Sequence, residues 1–284
     1  MATRTPRRVL VALSGGIDSA VAAWLLRRQG HSVEAVFMQN WDARIESGEH
    51  CTVEADFDSA QRVARSLEIP LHRVNFVHPY WQDVFEQALQ QYAQGLTPNP
   101  DVVCNREIKF GRLLRWSRDN GFSHLATGHY ARIVSHEGQL WIGQAAALAK
   151  DQSYFLADVD RTHLPSVLFP LGELTSKQHV RELAQQQGWN FLLARPESMG
   201  ICFVGQRRRF ATFLQEFLVP TPGDIVSVDG GQVLGRHAGV EAYTIGQHLG
   251  IGGMPARLFV VGKCLRSGTL LVSPQRYTAP SGRI

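Results

Sequence analysis

Two groups of residues in this 284-residue chain have types and spacings that can do chemistry. The first is the string SGGIDS, Ser14 to Ser19, which directly follows the apolar run VLVAL. Gly15 and Gly16 carry no Cβ, so the backbone there can curl and aim its N–H groups at an anion, and a helix starting behind them adds its positive dipole end. Ser14 and Ser19 offer hydroxyl donors, and Asp18 can orient a metal-bound water or hold the loop shut. No GK[ST] follows, so this is not the Walker A pattern, nor is it the GxGxxG dinucleotide fingerprint. The second group is the cysteines Cys51, Cys104, Cys202 and Cys264, scattered and without a CxxC pair. That spacing speaks against a disulfide scaffold or a zinc ribbon, and no resident metal site is expected. Lone cysteines in a reducing compartment are ordinarily packing residues, so a chemical role for any of them rests on its neighbours.

The elements that must position these groups alternate. Residues 9–13 read as a fully buried strand, and Asp18 to Gln29, with Val21, Ala22, Trp24, Leu25 and Leu26, as a helix ended by Gly30. Strands are expected over 32–40, 71–77 and 124–128, helices over 56–69, 80–95 and 106–121, and a loop over TPNPDVVCN, 97–105. This is the rhythm of an α/β doubly wound parallel sheet with helices on both faces. In such sheets ligands sit beyond the carboxyl ends of the strands, which is where SGGIDS falls. From Tyr130 the rhythm changes. A hairpin is expected over 131–143, a helix over 175–188 between Thr175 or Ser176 and Gly188, a loop PESMGICFVG, and a short basic helix over 207–218. Beyond Pro220, five β-like runs (224–228, 232–237, 242–246, 257–263 and 269–273) indicate a small β-rich domain. The expected division is 1–205, with a helical part at about 160–205, and 206–284.

Hydrophobic residues make up 44% and charged residues 19%, and no apolar stretch approaches the roughly 20 residues of a bilayer span, so no membrane role is expected. The net charge of +4 and the arginine clusters RTPRR and QRRRF permit a polyanionic partner. The amino terminus MATRTPRR is basic and free of acids, has no secretory apolar core, and is short for a transit peptide.

Placed between strand and helix, S-G-G-x-D-S resembles the PP-loop of the N-type ATP pyrophosphatases, with their adenine nucleotide alpha hydrolase-like fold. The resemblance implies ATP with Mg²⁺ at Ala12, Leu13, Ser14, Gly15, Gly16, Ile17, Asp18 and Ser19. FMQNWD (37–42), TPNPDVVCNREIKFG (97–111), ATGHYAR (126–132), KDQSYFL (150–156), FPLGELTSKQHVRELA (169–184), SMGICFVG (198–205) and YTIGQ (243–247) follow in the order found in one family. That family is the tRNA-specific 2-thiouridylases, and the 160–205 part is then its helical tRNA-binding segment. The resemblance implies ATP-dependent sulfur transfer to C2 of the wobble uridine of tRNA: adenylation makes the 2-oxygen a leaving group and a cysteine persulfide supplies the sulfur. It assigns the persulfide to Cys202, attack on it to Cys104, which ends in a disulfide with Cys202, and acid/base work to Asp101. Asn99, Pro100 and Asp101 then face a flipped-out base, Pro98 and Pro100 stiffening the loop. Met38 and Gly128 meet the nucleotide, and His129, Lys150, Asp151 and Gln152 meet tRNA.

Implied partners are tRNAs with Lys, Glu and Gln anticodons and a persulfide donor protein or cysteine desulfurase relay. ESMGICFVGQRRRF and IGGMPARLFVVGK are similar to mitochondrial members, which implies the mitochondrial matrix, with a bacterial cytoplasm as the alternative. Arg106 stands where many relatives have Lys, His248 where Arg or Lys is usual, and the family's C-terminal β-barrel is expected to be missing. Cys51 and Cys264 keep the packing reading. Two other functions remain open at this point: a carboxylate-adenylating PP-loop ligase, and a truncated ATP- or tRNA-binding remnant without catalysis.

Overall fold

The computed structural model describes residues 5–41, 53–195, 210–254 and 256–275. Asp42, Cys51, Cys202 and the arginines 207–209 lie outside the described residues. Strand β1 (Arg8–Ala12) is the centre of the main sheet, and its Val9, Leu10 and Val11 are wholly buried. It pairs in parallel with β2 (Ser32–Gln39) on one side and β4 (His124–Ala126) on the other. The parallel strands β3 (Leu71–Asn75) and β7 (Val167–Leu168) complete the order β3-β2-β1-β4-β7. A strand buried on both faces must be apolar throughout, and VLVAL is.

Side-chain alternation along β1 feeds two cores. Val9 and Val11 pack with residues of α1 (Ile17–Arg28), α2 (Val53–Ser66) and α7 (Lys177–Gln186), while Leu10 packs with Phe110, Leu113, Leu125 and Val167. The chain leaves β1 toward β2 and β3, then returns to lay β4 on the other side. That reversal opens a crevice at the carboxyl ends of β1 and β4. The hairpin β5 (Ala131–His136) and β6 (Gln139–Gln144) forms as expected, turning through Glu137 and Gly138, both at positive φ.

Two expectations need correction here, and one strand was not expected. The span 80–95 is not one regular helix: α3 (Val77–Tyr80) passes through a π-helical turn, Trp81–Phe85, into α4 (Glu86–Ala93). The loop expected over 97–105 ends early, because α5 (Pro100–Cys104) is already helical and continues through a π-helical stretch, Asn105–Leu113, into α6 (Leu114–Asp119). Proline read as a loop signal is here the first residue of a helix, where its fixed φ suits the helix and its missing N–H leaves no bond unmade. The two-residue strand β7 is too short for alternation to announce it.

The chain divides into two compact units: 1–84 with 100–206, and 85–99 with 207–284. The second unit thus takes a segment from the middle of the chain that a contiguous boundary at 205/206 leaves out. Its helix α8 (Phe210–Leu214) precedes a sheet of order β10-β11-β12-β8-β9. The strands are β8 (Gly223–Ser227), β9 (Val233–His237), β10 (His248–Leu249), β11 (Leu258–Cys264) and β12 (Thr269–Ser273). Ile225, Val240, Leu258, Val260, Leu270 and Val272 form its core. The run 242–246, expected as a strand, is not one. Lys263 Nζ donates to the Tyr243 carbonyl at 2.6 Å, Gly246 has φ +85°, and His248–Leu249 takes the place beside β11. Cys264 is exposed, against the packing reading, since β11 runs out of the core beyond a bulge at Val260–Gly262. Among the described residues no helix is long and apolar enough to cross a membrane.

Candidate active site

The SGGIDS turn leaves the sheet after Leu13, whose N–H donates to Val36 O at 2.8 Å. Leu13 and Ile17 bury their side chains in the core, so only their backbones face the turn. Gly15 has φ +79°, and a Cβ there would lie 2.2 Å from the Asp56 carbonyl oxygen. The first turn of α2 therefore backs the loop, and only glycine fits. Gly16 is exposed and starts α1 with no side-chain cap. Ser19 closes the turn from within: its Oγ accepts from Ser14 N at 3.1 Å and donates to Gly16 O at 2.9 Å. A glycine curl in front of an uncapped helix start is a backbone arrangement that suits an anion.

Asp18, in the first turn of α1, is clasped. Lys177 Nζ donates to its Oδ1 at 2.7 Å and its Oδ2 at 2.6 Å, and Tyr130 OH donates to Oδ1 at 2.7 Å. Lys177 is the first residue of α7, set there by Ser176, whose Oγ accepts from His179 N at 3.1 Å. Tyr130 is braced in turn, its N–H donating to Gln152 Oε1 at 3.0 Å and its carbonyl accepting from Gln152 N at 2.8 Å. Asp151 accepts from Ala145 N at 2.8 Å and from Ser153 Oγ at 2.6 Å. Of the KDQ triplet, then, Asp151 and Gln152 turn their acceptors inward as braces, and Lys150 is exposed.

At the start of α5, Pro100 is buried and Asp101 half-buried, and Cys104 follows one turn later as a thiol with 2% of its surface exposed. Residues three apart share a helix face, so Asp101 and Cys104 are neighbours along it. Burial pushes the Asp101 carboxyl up to about 6, against the opposing pull of Lys109. Lys109 Nζ also lies 3.4 Å from His129 Nε2, while His129 Nδ1 lies 2.7 Å from Thr127 Oγ1. An ammonium only donates, so Nε2 accepts and Nδ1–H donates to the threonine, which is the neutral tautomer. Burial first and Lys109 second hold the His129 pKa well below its ordinary value. Phe110 and Phe169 flank the ring, each with its centroid 6.1 Å away.

The four residues Thr127 to Tyr130 join these two clusters. A Cβ on Gly128 would lie 2.8 Å from Ser19 N, so β4 exits directly against the first turn of α1. His129 then reaches Lys109 and Tyr130 reaches Asp18. Met38 is half-buried near the end of β2 against the second core, and Ala12 ends β1. Asn99 belongs to the second unit and Cys202 lies outside the described residues, so neither is placed in this arrangement. Arg106 is ion-paired with Glu107 at 2.8 Å and Asp158 at 2.9 Å, and His248 is exposed on β10 against Phe259.

Sequence reasoning passed over Lys177, Tyr130 and Lys109. All three stand inside quoted family strings, Lys177 just after a capping serine, but nothing local marks their partners. Lys109 is displaced further by the π-helical stretch, which changes the face on which a residue emerges relative to a 3.6-residue count.

Residues 7–206 match the family model described as the tRNA methyl transferase HUP domain, and residues 211–274 the one described as the tRNA methyl transferase PRC-barrel domain. The chain is 41% identical to mitochondrial tRNA-specific 2-thiouridylase 1 of Gallus gallus, over 94% of this chain and 70% of that one. It is 44% identical to the tRNA-specific 2-thiouridylase MnmA of Legionella pneumophila strain Lens, over 94% of this chain and 74% of that one. Among solved structures, the NMN synthetase of Francisella tularensis overlaps it with a TM-score of 0.45 at 19% identity, over 74% of this chain and 75% of that one.

Proposed function

This chain belongs to the tRNA-specific 2-thiouridylase family, and on that premise we propose that it is an ATP-dependent tRNA-uridine 2-sulfurtransferase acting at the wobble position. One observation carries the reading: identities of 41–45% extend over 93–95% of the chain to relatives named for that reaction. The family models are described by methyl transfer, but the relatives' name agrees with a chain that carries cysteines in two separate family motifs. Residues 1–84 with 100–206 act as the catalytic unit in this reading.

ATP supplies the adenylyl group that makes the uridine 2-oxygen a leaving group. Ser14 to Ser19 would receive its phosphates on backbone N–H groups and hydroxyls, Asp18 would hold Mg²⁺, and Met38 and Gly128 would line the nucleotide. The cradle around Gly15 and the uncapped start of α1 support this placement. At the start of α5, Asp101 exchanges a proton with the base, a task its carboxyl, pushed up to about 6, is suited to near neutral pH. Cys202 carries the persulfide. Its outer sulfur bonds to C2 as AMP leaves, Cys104 attacks the inner sulfur, and the S–S electrons stay on the uridine sulfur. The two cysteines end as a disulfide, which an external thiol must reduce. Asn99 and Pro100 contact the base, and His129, Lys150, Asp151 and Gln152 the tRNA, the last two by shaping the loop that presents Lys150.

The substrates proposed are tRNAs with Lys, Glu and Gln anticodons, the sulfur source a persulfide donor protein or cysteine desulfurase relay, and the compartment the mitochondrial matrix. Relatives of mitochondrial and bacterial kinds match at similar identity, so cell fractionation decides the compartment. The chemistry is tested by incubating the protein with ATP, Mg²⁺, a persulfide source and unmodified tRNA, then digesting the tRNA for nucleoside mass spectrometry. 2-Thiouridine is expected at the wobble position. AMP release driven by a small carboxylic acid without tRNA, or ATP binding without any AMP formed, overturns the reading. Full activity in Cys202→Ser removes the persulfide role.

A further inference from the structure

Asp18 and a bound phosphate compete for one place. Both are anions drawn to the uncapped first turn of α1, and only interposed cations let them stand side by side. One such cation is already built in. Lys177 Nζ, with its side chain 13% exposed, lies within 2.7 Å of both Asp18 oxygens from the first turn of a different helix. A partly buried ion pair of this kind is weak evidence for stability, because desolvation offsets much of the attraction. Its place, at the mouth of an anion cradle, suits a charge that can be shared. An ammonium has three donors and a flexible four-carbon stem, so a small rotation re-aims it without moving α7. Tyr130 OH, bonded to Oδ1 at 2.7 Å, keeps a neutral donor on the carboxylate when the lysine turns away.

We infer that Lys177 exchanges partners at the phosphate loop, passing from Asp18 to the anionic oxygens of the triphosphate while Asp18 turns to the divalent cation. This rests on the reading that the loop takes ATP. It makes Lys177 a phosphate-binding residue rather than a strut between α1 and α7.

The exchange is read by calorimetric binding of an ATP analogue with a methylene bridge between the α- and β-phosphates, in Mg²⁺ and in EDTA. Adenosine binding and thermal unfolding of the same samples serve as controls. Lys177→Met is expected to weaken the analogue about tenfold or more while adenosine binding stays within about twofold, and Lys177→Arg to recover most of the loss. Asp18→Asn releases the lysine and removes a competing anion, so it is expected to tighten binding in EDTA by about threefold or more and to abolish the gain from Mg²⁺. Lys177→Met binding the analogue as wild type does, or Asp18→Asn binding it more weakly in EDTA, overturns the exchange. If Lys177→Met does not fold, the Arg and Asn variants decide alone. Wild-type protein that binds no analogue refutes the ATP reading itself. Wild-type protein that binds it without making 2-thiouridine refutes the sulfur-transfer reading and leaves the exchange standing.

Discussion

Asp18 and Asp101 are the same side chain, each in the first turn of a helix, and their surroundings could hardly differ more. Asp18 is gripped at short range by Lys177 and Tyr130, whereas Asp101 is governed mainly by loss of water, with Lys109 only partly offsetting it. The loop end therefore holds charge in place, and the proposed exchange would hand it over to phosphate and metal. The helix end lets charge come and go near neutral pH, beside a thiol. A reaction that first activates an oxygen and then replaces it needs both.

Separating the two ends experimentally sharpens this contrast. The largest effect is expected from Cys104→Ser, which removes the thiol proposed to attack: 2-thiouridine formation falls on the order of a thousandfold or more. tRNA-dependent AMP formation, assayed alongside, should persist, and its loss would falsify the division of labour. Asp101→Asn is expected to cost about a hundredfold or more in thiolation. Wild-type activity should rise with pH through about 6 if Asp101 acts as a base, and that limb should vanish in the variant.

The same substitution affects folding with the opposite sign. Between the ordinary value of 3.8 and about 6 the native state binds a proton that the unfolded state has lost. The stabilisation linked to that proton is thus fully present below 3.8 and is lost as pH rises toward 6. Asp101→Asn should therefore be more stable than wild type at pH about 8, by something on the order of 2 kcal/mol, with little difference at pH about 4. Urea unfolding at the two pH values measures it, and equal midpoints throughout would show that burial does not govern this carboxyl.

At the loop end, Gly15→Ala places a Cβ against the Asp56 carbonyl in a left-handed conformation. A loss of about 2–4 kcal/mol is expected, with nucleotide binding abolished and the helix end untouched. An alanine variant that keeps wild-type affinity and stability would mean the turn relaxes easily. The smallest effect belongs to Lys150→Ala, a few-fold (about 1 kcal/mol) weaker tRNA binding with a salt slope reduced by about one. Filter binding across a salt series reads both, and an unchanged slope removes Lys150 from the phosphate contacts.

Much of the scaffold was legible because its signals are local. VLVAL announced a strand buried on both faces, Gly30 the end of α1, Thr175 or Ser176 the cap of α7, and 131–143 a hairpin. The helix start at Pro100 was misread because proline marks loops and first helical residues alike. The run 242–246 was misread because β-branched and aromatic residues suit strands. Its Tyr243 carbonyl is instead held by the side chain of Lys263, which lies too far along the chain for a local pattern to register. In the site, SGGIDS could be picked out by type and spacing, and Asp101 and Cys104 by the family resemblance of the string around them. Lys177, Tyr130 and Lys109 could not, since each matters through a partner 20 to 159 residues away.

The sequence by itself determined the alternation of strands and helices, the glycine turn between the first strand and the first helix, and the serine cap and closing glycine of α7. These are properties of neighbouring residues, decided by backbone sterics and periodicity. Only the tertiary structure decided how the charges behave. Whether a carboxylate is clasped or stripped of water depends on which distant elements close over it, through fields and desolvation that no short stretch of chain contains. Lys177 meets Asp18 because α7 packs on α1, and the Asp101 carboxyl rises to about 6 because the fold encloses the start of α5.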